Sequence, residues 1–192
     1  MWRDDRVALV TGAASGVAAA VARRLDAAGV RVAALDGCTA VDLVGGDLWR
    51  GMAVHADAGD PAQLESAVDA VVERYGRLDV LVATAPEPAC PGSARSALEV
   101  TDEEWHAVLG PQLDGAFYAV RAALRVMRGG VVVAVVAACP HLPHRAAAAL
   151  GVRGLVRAVD APDVRVRSVT ARCSPDPAEV ADAVLAVVGG NA

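Results

Sequence analysis

The sequence predicts an α/β fold built on a doubly wound parallel sheet of about six strands, a single domain over residues 1–192. Three observations carry this. Short, nearly continuous apolar runs alternate with helix-period segments, as strands buried on both faces alternate with crossover helices. The composition is 55% hydrophobic but only 3% aromatic, so the core is built from Ala, Val and Leu, which lets helices lie close on a sheet. The first run, Val7 to Val10, meets a small-residue turn, Thr11 to Gly16, and then an Ala- and Val-rich helix pattern that breaks at Gly29.

The elements follow in order. Val30 to Leu35 is a second strand ending in Asp36, and Gly37 to Trp49 reads as a loop with a short helical piece. Met52 to His55 is a third strand. Pro61 opens a helix with Leu64, Val68, Val71 and Val72 on one face, closing near Tyr75-Gly76. Leu78 to Val82 is a fourth strand, and residues 86 to 100, with three prolines, are loop. Thr101 caps a helix whose first turn is acidic. A long helix runs from about Leu113 to Met127, with Phe117, Val120, Leu124 and Met127 on one face. Val131 to Val136 is a fifth strand. Residues 139 to 145, with two prolines and two histidines, form a loop before an alanine-rich helix from Ala146 to about Val159. Val164 to Thr170 is a sixth strand, alternating Val with Arg, and Pro177 to Val188 is the last helix. The strand order expected of such a chain is 3-2-1-4-5-6.

Charge and cysteine usage exclude several classes of function. The net charge of −5, with no basic run, argues against nucleic acid as a partner. No apolar stretch of about 18 residues occurs, so no membrane span is expected. The stretch Trp2 to Asp5, with three charged residues in four, does not read as a signal peptide. Cys38, Cys90, Cys139 and Cys173 form no C-x-x-C pair, so reduced thiols in a cytoplasmic protein are the expectation.

The stretch from strand 1 to Asp36 has the order of a dinucleotide site: strand, glycine turn, helix, strand, acid. Gly12 permits the tight turn. Gly16 lets backbone approach a pyrophosphate at the helix N-terminus, where free N–H groups and the dipole favour an anion. Asp36 is placed to accept from a ribose 2′-hydroxyl and to repel a 2′-phosphate, so NAD is expected over NADP.

With these residues in view the chain resembles the short-chain dehydrogenase/reductase family, with its Rossmann-like fold, along nearly its whole length. Thr11-Gly12-Ala-Ala-Ser15-Gly16-Val17-Ala18 looks like that family's T-G-x-x-x-G-x-G, with Ala18 at the third glycine. Asp57 matches the aspartate that contacts adenine, and Arg74 to Val82, Asp102 to Trp105 and Leu113 to Phe117 match further stretches. The resemblance implies cofactor contacts from Gly12, Ser15, Gly16, Val17, Asp36, Asp57, Ala58 and Ala83.

The same resemblance implies that the family's catalytic set is absent. Gln112, Ala137, Arg145 and Ala149 stand where the family has Asn, Ser, Tyr and Lys, and Ala83-Thr84-Ala85-Pro86 stands where it has N-N-A-G. The substrate lid and last strand expected beyond strand 6 are missing as well. All 18 basic residues are arginine, so no register of this sequence contains a Tyr-x-x-x-Lys pair. Tyr75 and Tyr118 fall at packing positions.

What remains near the expected site is Cys139, His141, His144 and Arg145. Two imidazoles could perform acid–base work, Arg145 could hold an anion and Cys139 could be a nucleophile. A polar, proline-kinked turn is the plainer reading, and Cys-x-His-x-x-His is not a strong metal spacing, so no metal is expected. Isolated His55 and His106 read as packed or solvated imidazoles, and Arg165, Arg167 and Arg172 on strand 6 as a solvated edge rather than an anion site. Two functional readings stand. One is a degenerate family member that binds NAD and serves as a non-catalytic or regulatory subunit, as a homodimer or in a hetero-oligomer with an active relative. The resemblance places helices 113–127 and 146–159 at the family's dimer contact. The other is a tailoring dehydratase, cyclase or isomerase using His141 or His144. Weak hydride transfer sustained by proximity alone is a third possibility.

Overall fold

The computed structural model describes residues 5–14, 16–85, 93–173 and 175–190. Six parallel strands form one sheet in the order β3-β2-β1-β4-β5-β6. They are β1 (Val7–Thr11), β2 (Arg31–Asp36), β3 (Met52–His55), β4 (Val80–Ala83), β5 (Gly130–Ala138) and β6 (Val164–Arg172). The helices are α1 (Gly16–Ala27), α2 (Val41–Asp47), α3 (Pro61–Tyr75), α4 (Asp102–Leu109), α5 (Gly115–Val126), α6 (Pro143–Ala158) and α7 (Pro177–Gly189). The strand order is the expected one.

The period of two in a strand divides the core into two layers. Ala8 and Val10 of β1 pack with Val80, Val82, Val131 and Val133 under α1, α2 and α7. Val7 and Leu9 face the other way and pack with Leu81 and Val132 under α3 and α5. β1 and β4 are buried along their whole length. β6, at the sheet edge, alternates buried Val with exposed Arg165 and Arg167, and charged side chains discourage pairing with another edge.

Helix boundaries follow local chemistry. Asp60 caps α3, accepting from the Ala62 and Gln63 amides, and Pro61 stands at the first helical position. Thr101 and Glu104 form a reciprocal capping box at α4. A π-helical turn, Gly110–Asp114, joins α4 to α5 and brings Gln112 towards the sheet.

Two expectations are corrected here. The apolar face assigned to the long helix is wrong at Phe117, which is 43% exposed; Val120 and Met127 are buried as expected, with Ala116, Ala119 and Ala123 facing the core beside them. An alanine face seats closer to a sheet than a phenylalanine face can. The loop assigned to residues 139–145 ends early, because Pro143 begins α6. His144 and Arg145 therefore lie in a helix's first turn and are buried, at 6% and 4% exposure.

Candidate active site at the carboxyl ends of the strands

The carboxyl ends of parallel strands converge where the strand order reverses, between β1 and β4, and ligands of such sheets bind there. Two adjoining cavities occupy this position. The larger, about 260 Å³, is lined by the turn after β1, by the ends of β4, β5 and β6, and by α6. The smaller, about 190 Å³, lies over the ends of β2 and β3. Gly12, Asp36 and Ala85 line both.

The turn is held by a latch between two strand ends. The Thr11 hydroxyl donates to the Thr84 carbonyl at 2.8 Å and accepts from the Thr84 amide at 3.0 Å, while the Thr84 hydroxyl donates to the Thr11 carbonyl. Gly12 sits between them at φ +69°, and a Cβ there would meet Thr84 Oγ1 at 2.9 Å. Both the conformation and the space demand glycine. At Gly16, by contrast, a Cβ would meet nothing within 4 Å among the described residues, at the start of α1, where a helix N-terminus favours a phosphate.

Asp36 anchors the second side of the turn. Its carboxylate accepts from the Ala14 amide at 3.1 Å and the Cys38 amide at 2.9 Å. It thus fixes the glycine turn and the loop after β2 while lining both cavities. Asp57, Ala58 and Gly59 close the smaller cavity, and the Asp57 carboxylate is oriented by the Gly59 amide at 2.8 Å. Of the residues expected around a cofactor, Gly12, Gly16, Val17, Asp36, Asp57, Ala58 and Ala83 all line one cavity or the other. Ser15 and Pro86 lie outside the described residues.

A profile of short chain dehydrogenases matches residues 6–172. The chain belongs to the short chain dehydrogenase family. It is 37% identical over 182 residues to a hexahydro-indene-carboxyl-CoA reductase of Mycobacterium tuberculosis, a match covering 85% of this chain and 68% of that one. A short chain dehydrogenase from Mycobacterium smegmatis superposes with a TM-score of 0.84 at 32% identity, covering 95% of this chain and 85% of that one. A variant of actinorhodin polyketide ketoreductase, crystallised with NADPH, superposes with the same TM-score at 25% identity, covering all of this chain and 94% of that one. The chain spans about half the length of other curated relatives, 48% and 44% for two of them.

On the side of β5, β6 and α6, the described residues that line the larger cavity are mostly small and apolar. Gln112, Ala137 and Ala149 line the larger cavity beside Ala116, Ala148 and Val152. Arg145 does not line it. It turns back under the loop after β5, its Nη1 4.0 Å from Cys139 Sγ. His144 is also turned inward, and its Nδ1 has no hydrogen-bond partner among the described residues. Burial, with help from the neighbouring Arg145 charge, holds the His144 pKa below the ordinary imidazole value. Arg95 braces this loop: its amide donates to the His141 carbonyl at 3.1 Å, and its guanidinium pairs with Glu104 at 2.8 and 3.0 Å. That guanidinium, with the Thr101 amide, brings the Glu104 carboxyl down to about 2.

The cysteine expectation is corrected as well. Cys38 is free, but Cys139 and Cys173 are joined by a disulfide; Cys90 lies outside the described residues. The cause is register. β5 and β6 pair in parallel with a constant offset of 34, ending at Ala138↔Arg172, so Cys139 and Cys173 occupy the next step, with Cα atoms 5.3 Å apart. Elsewhere, His55 pairs with Asp42 at 2.8 Å on the surface, and the Tyr75 hydroxyl donates to the Arg50 carbonyl. Neither reaches the cavities. No helix among the described residues is long and apolar enough to cross a membrane.

Proposed function

We propose that this chain is a nucleotide-binding, non-catalytic member of the short chain dehydrogenase family, one that binds NAD(H) in preference to NADP(H) and acts as a subunit in an assembly. The observation that carries the reading is an asymmetry within one site. The turn, Asp36 and Asp57 frame the smaller cavity, whereas Gln112, Ala137 and Ala149 leave the larger one without an acid–base pair among the described residues. The NADPH found in the polyketide ketoreductase supports a nicotinamide cofactor here, and Gly16 leaves the room its pyrophosphate needs. Asp36 supports the choice of NAD(H), because its carboxylate faces both cavities and a 2′-phosphate would meet a fixed negative charge.

A bound nicotinamide would supply or accept hydride. Tyrosine and lysine, which in this family's chemistry move the matching proton, are not at the positions expected of them, and the chain has no lysine. Tailoring chemistry by His141, His144 and Arg145 is disfavoured, since none of the three lines the cavity. For the assembly role, support comes from Phe117 on α5 and Leu150 on α6, exposed at 43% and 66%, on the two helices through which the family forms dimers.

The first test is a calorimetric titration with NADH and NADPH against the wild-type chain and Asp36→Ala. NADH binding that weakens about tenfold on substitution is expected; no binding to either nucleotide would defeat the proposal. The assembly half is tested by light scattering on Phe117→Glu with Leu150→Glu, which is expected to convert an oligomer to monomer. A wild-type monomer that never co-purifies with a dehydrogenase would leave the subunit role without support.

A further inference from the structure

The bridge between β5 and β6 lies in surroundings that a structural disulfide does not require. His141 Nε2 is 3.7 Å from Cys139 Sγ and 3.8 Å from Cys173 Sγ, so one imidazole touches both sulfurs. Of the two sulfurs, it is Cys139 Sγ that Arg145 Nη1 approaches, at 4.0 Å. The two sulfurs also differ in access: Cys139 is 1% exposed, whereas Cys173 is partly exposed. The residue at one end of the bond is partly exposed, and the residue at the other is buried beside a guanidinium.

That polarity is the requirement for thiol–disulfide exchange. An attacking thiolate must reach one sulfur, and the other must leave as a thiolate, faster when a cation stabilises it. We propose that Cys139 and Cys173 form a thiol–disulfide exchange site whose co-substrates are low-molecular-weight thiols and their disulfides. Cys173 is the attacked sulfur and Cys139 the departing one.

The step balances as follows. A thiolate RS⁻ attacks Cys173 Sγ, an RS–S bond forms to Cys173, and the Cys173–Cys139 bond breaks. The bonding pair goes to Cys139 Sγ, held as thiolate by Arg145 and His141. A second RSH then attacks the mixed disulfide, releasing RSSR and leaving Cys173 as a thiol. In sum, RS⁻ and RSH are oxidised to RSSR, and the protein disulfide is reduced to a Cys139 thiolate and a Cys173 thiol. In reverse, RSSR restores the bridge. Neither direction uses a nucleotide, so the site stands or falls apart from the proposed function. Disulfides that serve chemistry rather than stability have this partly exposed, electropositive setting.

The experiment equilibrates the natively folded chain in buffers of reduced and oxidised glutathione. Unbridged cysteines are then alkylated, and the Cys139 and Cys173 peptides are quantified by mass spectrometry. Both peptides are expected to change together, reversibly, in one two-electron transition under native conditions. Cys139→Ser is expected to collect glutathione on Cys173, and Cys173→Ser to collect it on Cys139 at least tenfold more slowly. His141→Ala is expected to slow native reduction about tenfold, with unchanged circular dichroism. A bridge that opens only when the chain is unfolded would overturn the site, as would a pair that oxidised glutathione never bridges or equal adduct rates at the two cysteines. The two thiolates and His141 also lie close enough to ligate a metal. Reduced protein that retains zinc through dialysis and resists oxidation would likewise overturn the proposal, in favour of a metal centre.

Discussion

The two sides of the cleft are made from different kinds of information. On the side of β1, β2 and β3, the work is done by backbone and one acid: a turn at positive φ, and a carboxylate tying that turn to the end of β2. On the side of β5, β6 and α6, the cavity wall is Ala137, Ala148, Ala149 and Val152. A backbone site tolerates wide change in sequence provided its glycines and one acid remain. A side-chain site can be lost by a few substitutions that leave the fold intact, because alanine, the best helix former, is also accommodated in a parallel strand buried on both faces. One cleft can therefore keep a nucleotide pocket and lack an acid–base apparatus.

The sharpest way to break this comparison is Gly12→Val. A Cβ at Gly12 would lie 2.9 Å from Thr84 Oγ1 in a left-handed conformation, which a β-branched residue adopts only at a cost of about 1–3 kcal/mol. The expected result is loss of measurable NADH binding and a lower denaturation midpoint. Retained binding would mean that the turn does not form the pocket. Next in size is Asp36→Asn. An amide keeps the shape, but its NH₂ group faces a backbone donor, either Ala14 N–H or Cys38 N–H. One charge-assisted bond is lost, worth about 1.5–3 kcal/mol. NADH affinity is expected to fall about tenfold and NADPH affinity to fall less, so the ratio between them narrows in paired titrations.

How far the sequence could be read follows the same division. Apolar runs and helix periods locate all six strands, and Gly12, Gly16 and Asp36 mark the turn, because these are local signals. What sequence reading missed depends on neighbours distant in the chain. The disulfide needs the 34-residue register of β5 on β6, the Thr11–Thr84 latch needs β1 beside β4, and the Arg95–Glu104 brace needs the loop after β5 above α4. The burial of His144 and Arg145 was hidden by Pro143. Proline was read as part of a loop, when at the first position of a helix it starts the helix. The cysteine offset could have been found by aligning the valine runs 131–136 and 164–170 as parallel neighbours.

His144 offers a smaller, pH-dependent effect on the bare side. Its folded-state pKa is lowered, chiefly by burial, so below about 6.5 the unfolded chain binds a proton that the folded chain resists. Stability is then unaffected by this group above about pH 6.5 and falls as the pH drops from there towards the lowered value. In denaturation series between pH 8 and pH 5, His144→Gln is expected to flatten part of that acid-side loss. An identical slope in the variant would show that His144 is not the group responsible.

The smallest expected effect sharpens the comparison most directly. Gln112 lines the larger cavity, on the π-helical turn before α5, but not the smaller one. If the nucleotide is held chiefly by the turn and the ends of β2 and β3, Gln112→Ala removes a side chain that contributes little to that grip. NADH affinity is expected to change less than about twofold and stability by no more than about 0.5 kcal/mol, as for substitutions that touch no core, cap or buried network. A tenfold loss in the same titration that reads Asp36→Asn would mean that the bare wall also grips the cofactor. The division between a backbone half and an empty half would then have to be redrawn with the π-turn on the binding side.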